Sequence, residues 1–126
     1  MSLPTNNLRL RGLRGAITTQ NDSSKAIEEA VSELVHELVE RNNLDPDQIV
    51  SITFSVTADL TACFPAAIAR RQPGWENVAL IDCQQMSVKG DLNHCIRLLA
   101  HVWLPSEQLP QHPYLGQASL LRPDRS

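Results

Sequence analysis

Most of the signatures that assign a chain to a function on sight are missing from these 126 residues. No glycine-rich phosphate loop, G-x-S-x-G nucleophile turn or dinucleotide fingerprint occurs, which removes the common nucleotide-dependent and serine-hydrolase chemistries. Cys63, Cys83 and Cys95 are an odd number with no C-x-x-C pair, so neither a disulfide framework nor a zinc site is expected. His36, His94, His101 and His112 are scattered without H-E-x-x-H spacing, and no metal or other cofactor is expected. An excess of positive charge is lacking as well. The formal net charge is −3, against the basic stripe of a dedicated nucleic-acid binder, and the lone Gly12-x-x-Gly15 is too weak a clamp signature to reverse that. A small anionic ligand stays open, because a site needs local charge rather than net charge. No apolar run approaches the length of a membrane span and MSLPTNN carries no apolar signal core, so the expected address is the cytoplasm, with no membrane partner.

What remains is an ordinary globular composition, 42% hydrophobic and 20% charged, with mass for one modest core. No repeat, low-complexity stretch or linker divides the chain, so a single domain over residues 1–126 is expected, with 1–7 and 123–126 flexible. Leu8 to Thr18 reads as a strand. Asn21 to Ser24 supplies capping residues, and Ile27, Ala30, Val31, Leu34, Val35 and Leu38 recur at helical spacing, with the glutamates largely on the other side. Asn42-Asn43 ends that helix, and Asp45-Pro46 opens one more short turn. In the strand Ile49 to Val56, Val50, Ile52, Phe54 and Val56 fall on one face, and Ser51, Thr53 and Ser55 on the other. A short helical segment over Ala66 to Arg71, a third strand over Val78 to Cys83 and a fourth over Asn93 to Trp103 follow. The fourth is apolar on both faces, which predicts that both are covered. Tyr114 to Leu121 is expected to form a last short strand. The fold class is therefore α/β (α+β), a mixed sheet of about five strands against one long helix. One helix leaves the sheet's second face open, and Phe54, Phe64, Leu99 and Trp103 cannot all hide beneath it, which predicts oligomerisation.

Against this background the arginines stand out. Arg97 lies in CIRLLAHV, the most apolar strand, sharing a face with Cys95, Leu99 and His101. An arginine there costs desolvation unless something anionic faces it. Two readings follow: a buried ion pair with an acid such as Asp82 or Glu107, or a fixed guanidinium fork aimed into a pocket for carboxylate or phosphate. Arg14, in RGLRGAIT, has the same character, and Gly12 and Gly15 beside it permit close approach of a ligand or another chain. Arg70 and Arg71 follow the short helix, and Arg71 reads as simply solvated. Inward arginines without a nucleophile or metal set imply an anionic small molecule, handled by electrostatic catalysis or by plain binding.

RGLRGAIT, DLTACFPAAIAR, GW, QQM, CIRLL and HPYLGQASLLRPD, in that order from Arg11 to Asp124, resemble the small trimeric α/β chorismate mutases, the class distinct from the all-helical one. The resemblance implies a homotrimer whose sheets form a barrel-like core, with sites at subunit interfaces. It also implies an enzyme of aromatic amino-acid biosynthesis that rearranges chorismate to prephenate. On it, Arg97 corresponds to the arginine contacting the substrate's ether oxygen and a carboxylate, and Arg14 and Tyr114 to residues holding a carboxylate. Phe64, Ala66 and Arg70 correspond to a wall given by the neighbouring subunit, and Ile81, Asp82, Cys83, Gln84 and Gln85 to the strand segment lining the pocket. Leu121 and Arg122 correspond to the stretch that closes over it. Gln85 stands where the family usually has a glutamate that accepts a hydrogen bond from the ring hydroxyl, Ala67 where a lysine is common, and Asp82 where a cysteine is. An acid at Asp82 repels the substrate unless it turns away or pairs with Arg14 or Arg97. A one-residue deletion precedes Pro105. The alternative reading is a trimeric small-anion binding or regulatory protein on the same fold.

Overall fold

The computed structural model describes residues 7–122; the expectation of flexible ends at 1–7 and 123–126 lies, Asn7 apart, outside them. Strand β1 spans Leu8–Thr18, helix α1 Ser24–Asn42, β2 Ile49–Val56, a five-residue helix α2 Pro65–Ala69, β3 Ala79–Gln84 and β4 Cys95–Pro105. The caps that the sequence offers are used. The Ser23 hydroxyl accepts the Ala26 N–H at 3.1 Å, and Asn43 ends α1 in the left-handed conformation that asparagine tolerates (φ 50°). Asp45 and Gln48 cap the Pro46–Gln48 turn reciprocally.

The sheet is mixed, in the order β1-β4-β2-β3. Strand β4 runs antiparallel to both β1 and β2, and β3 runs parallel to β2. Helix α1 lies across one face, where Ile27, Val31, Leu34, Val35 and Leu38 bury against Leu13, Ile52, Phe54, Ile96 and Val102. Five strands are expected and four are found among the described residues. Tyr114 makes a single parallel bridge to Ala16. The chain then turns away at Gly116 (φ 58°) into a 3₁₀ helix, Gly116–Leu121, so no ladder extends beyond that bridge. Val50 also departs from its expected face: a register shift between Ile49 and Ser51 leaves it exposed.

The second face of the sheet is uncovered within the chain, so the cover expected on both sides of β4 comes from the chain itself on the helix side alone. Leu99 and Trp103 of β4 are 42% and 41% exposed and Leu10 of β1 is 53% exposed. Among the described residues, no helix is long and apolar enough to cross a membrane.

Candidate active site

The uncovered face carries the arginines because strand parity puts them there. Register places Arg14 beside Leu99 and Thr53 in one cross-strand row, and Ala16 beside Arg97 and Ser55 in the next. Small neighbours on both sides leave Arg97 room to lie along the sheet. A cavity of about 490 Å³ opens over these rows, lined by Arg14, Thr53, Ser55, Arg97, Leu99, Tyr114, Leu121 and Arg122.

Tyr114 reaches this cavity because the segment 112–115 runs along the outer edge of β1. The Ala16 N–H donates to the Pro113 carbonyl (3.0 Å), the Leu115 N–H to the Ala16 carbonyl (2.8 Å), and the Arg14 N–H to His112 Nδ1 (2.9 Å). Gly15 makes the close approach possible. A Cβ there would stand 3.0 Å from the Pro113 oxygen and 3.2 Å from a Leu34 methyl. Gly12, by contrast, has only a leucine methyl at 3.8 Å, so within the chain only Gly15 is closely approached. Above Tyr114 lies the Arg122 guanidinium, 6.0 Å from the ring centre.

Arg97 pairs with neither Asp82 nor Glu107. Its Nη2 donates to both carboxylate oxygens of Asp91, at 2.9 and 3.1 Å, and both side chains are largely buried. Its Nε is buried and has no acceptor in the protein. Cys95, fully buried on the same face, has its thiol pushed up by burial, so it stays a neutral neighbour. Gln85 sits across Ser55: its side-chain carbonyl accepts the Ser55 hydroxyl, and its N–H donates to the Val56 carbonyl at 2.7 Å. Gln85 and Asp91 together line an adjoining cavity of about 360 Å³. Two contacts, Ser55–Gln85 and Arg97–Asp91, therefore connect the two cavities.

Asp82 pairs with neither arginine of the site. It lies opposite Phe54 in the β2–β3 register, so it faces the helix side, where its carboxylate accepts the Ala66 N–H at 2.9 Å at the start of α2. Burial pushes its carboxyl up, with the Ala66 N–H and Arg70 acting in the opposite sense. The repulsion expected from this acid is relieved by its turning away.

The remaining sequence-predicted positions gather at the other edge of the sheet. Phe64, Asp82, Cys83 and Gln84 line a cavity of about 620 Å³, and Phe64 is 71% exposed. Ala66 is buried in α2, Arg70 is exposed at its C-terminal end, and Ile81 is exposed on the open face. Cys83 Sγ donates to the Phe54 carbonyl at 3.3 Å. Arg71 is exposed as expected, although it faces Glu28 at 3.5 Å. One chain thus brings Arg14, Arg97, Tyr114, Leu121 and Arg122 together, but not Phe64, Ala66, Arg70 or Ile81 with them. Sequence reasoning missed Thr53, Ser55 and Asp91. The first two were visible as the polar face of β2; Asp91, in the turn before β4, gave no periodic signal.

The sequence matches the family model for chorismate mutase type I over residues 10–125. It is similar to chorismate mutase AroH of Thermus thermophilus, at 40% identity over 91% of this chain and 95% of that protein. It is similar as well to chorismate mutase AroH of Bacillus subtilis, at 36% identity over 94% of each. The fold resembles the solved chorismate mutase from Clostridium thermocellum with a TM-score of 0.79 and 36% identity, over 87% of this chain and 98% of that one. A match of this extent, on a sheet whose open face gathers Arg14, Arg97 and Arg122, places the chain in the chorismate mutase type I family.

Proposed function

We propose that the chain is a chorismate mutase, an isomerase that converts chorismate to prephenate. The ether C–O bond breaks as a C–C bond forms within the same molecule, so the reaction asks for no nucleophile, no proton transfer and no cofactor. The protein contributes by holding the dianionic substrate in its compact reactive conformer and by stabilising charge that develops on the ether oxygen. The observation that carries this reading is Arg97: half its fork is committed to Asp91, and a buried Nε is left without an acceptor beside a cavity that also holds Arg14 and Arg122. In this reading Nε serves the ether oxygen and a substrate carboxylate, Arg14 and Tyr114 hold the other carboxylate, and Leu121 and Arg122 close over the ligand.

Gln85 takes the ring hydroxyl through its carbonyl. That oxygen already accepts from Ser55 but has a second lone pair. Replacing a carboxylate with an amide turns a charge-assisted bond into a neutral one, a loss of about 1 kcal/mol, or about fivefold to tenfold in rate. A homotrimer completes the site. A neighbouring copy supplies Phe64, Ala66, Arg70 and the β3 segment Ile81 to Gln84 as the facing wall, and the apolar open faces form a shared barrel-like core. The exposed Leu10, Leu99 and Trp103 support that assembly. The engagement of Gln85 by Ser55 favours one other reading, an anion-binding protein that keeps the pocket without the reaction.

Loss of chorismate, followed by ultraviolet absorbance, tests both. Wild-type turnover that is abolished in Arg97→Ala and equal or faster in Gln85→Glu is expected. A wild type that binds chorismate without turning it over, with activity gained in Gln85→Glu, would overturn the enzyme reading in favour of the binding one.

A further inference from the structure

Among the described residues, Asp91 is the one acid that touches the guanidinium of Arg97, and it sits in a frame that gives its carboxylate little freedom. Oδ1 accepts from Arg97 Nη2 at 2.9 Å and also from the Leu92 N–H at 2.8 Å, and Oδ2 reaches Nη2 at 3.1 Å. The Asp91 N–H closes a turn onto the Val88 carbonyl at 3.1 Å. The exit of the loop is pinned separately. The His94 N–H donates to both oxygens of Asp59, at 3.2 and 3.0 Å, and the Thr19 N–H donates to the His94 carbonyl at 2.8 Å. Burial works against the charge on Asp59, but the Thr57 hydroxyl and the His94 N–H outweigh it, so Asp59 is held below its ordinary value and stays ionised.

A carboxylate so fixed does two opposed things. It holds one end of a rigid fork on a side chain that lines the cavity, which fixes the direction of Nε. It also places a negative charge beside a site that takes a dianion, which weakens ground-state attraction. From this geometry we infer that Asp91 is a positioning residue for Arg97, acting on the orientation of the fork at some expense in substrate affinity. The inference rests on the chorismate mutase reading above. It predicts a signature that loss of folding does not produce. In Asp91→Ala, kcat falls by about tenfold to a hundredfold as the fork loses its direction, while KM for chorismate falls rather than rises. Asp91→Asn keeps an Oδ1 acceptor for Nη2 and for Leu92 and recovers part of kcat.

Steady-state kinetics of wild type, Asp91→Ala, Asp91→Asn and Arg97→Ala, with thermal melts of each, decide the matter. Lower kcat with lower KM in the alanine variant and partial recovery in the asparagine one bear the inference out. Unchanged kcat in Asp91→Ala, or a fall in kcat with KM unchanged or raised, overturns it, while wild-type turnover lost in Arg97→Ala keeps the enzyme reading standing. Absence of turnover in the wild type overturns both.

Discussion

At the scale of single residues, Arg97 resolves two readings that the sequence sets against each other. A guanidinium has five donors in a fixed fork, and here it is both ion-paired and part of a cavity's lining: Nη2 serves Asp91 while the buried Nε stays without a protein acceptor. A lysine cannot do both, since a single ammonium reaches either the carboxylate or the ligand. Arg97→Lys is therefore expected to lose at least about a hundredfold in chorismate turnover, close to the alanine variant. Retention of most activity would show that charge, not fork geometry, is what the position supplies. Asp82 shows the reverse case. In the sequence it stands beside Cys83 in the pocket segment, and only its pairing with Phe54 reveals that it turns to the helix side.

At the scale of elements, periodicity made α1 and β2 legible, because each buries a face of fixed period against the core, whereas β1, β3 and β4 were readable as apolar runs between turn residues, and β3 adds only the partly buried Leu80 to that core. What it left illegible has specific causes. Tyr114 to Leu121 has the composition of a strand, but one bridge and a positive-φ glycine convert it to a 3₁₀ turn. The segment before it is held by Asn42, whose buried amide donates to the Leu38 and Gln111 carbonyls and accepts the Gln111 N–H. A polar residue at the end of a helix gives no warning of such a long-range role. Asp91 and Ser55 were missed as partners because they reach Arg97 and Gln85 across a turn and a sheet row, distances that spacing does not encode. Asp22, read only as part of a capping run, instead ties the loop after β2 to the start of α1, accepting from the Thr61 hydroxyl and from the Thr61 and Ala62 N–H groups. The Thr61 hydroxyl and amide hold its carboxyl below the ordinary value of 3.8. A depressed carboxylate stabilises the fold above its unfolded-state pKa and loses that contribution as pH falls through the folded one. Asp22→Asn should thus melt below wild type at neutral pH, with the gap narrowing under acid conditions below about pH 4. A gap that stays constant in melts from pH 7 to strong acid would assign the effect to something other than the charge.

At the scale of the whole molecule, the open face of the sheet dominates. Leu10, Leu99 and Trp103 are apolar and exposed on the same face as the cavity. Sedimentation equilibrium is expected to give the mass of three 14.0 kDa chains. In Trp103→Glu, the single-chain mass with native helix content and no turnover is expected, because a charge on that face opposes its burial. A wild type of single-chain mass would overturn the trimer. The division of the predicted positions between the β1–β4 side and the β3–α2 side of one sheet then has a consequence for inheritance. In the proposed trimer, a lesion at Arg97 and a lesion at Phe64 damage opposite walls of every site. Two alleles, each inactive alone and each altered in the same reading frame, would complement one another in a cell that expresses both. Some interfaces of the mixed trimers join the intact side of one chain to the intact side of the other.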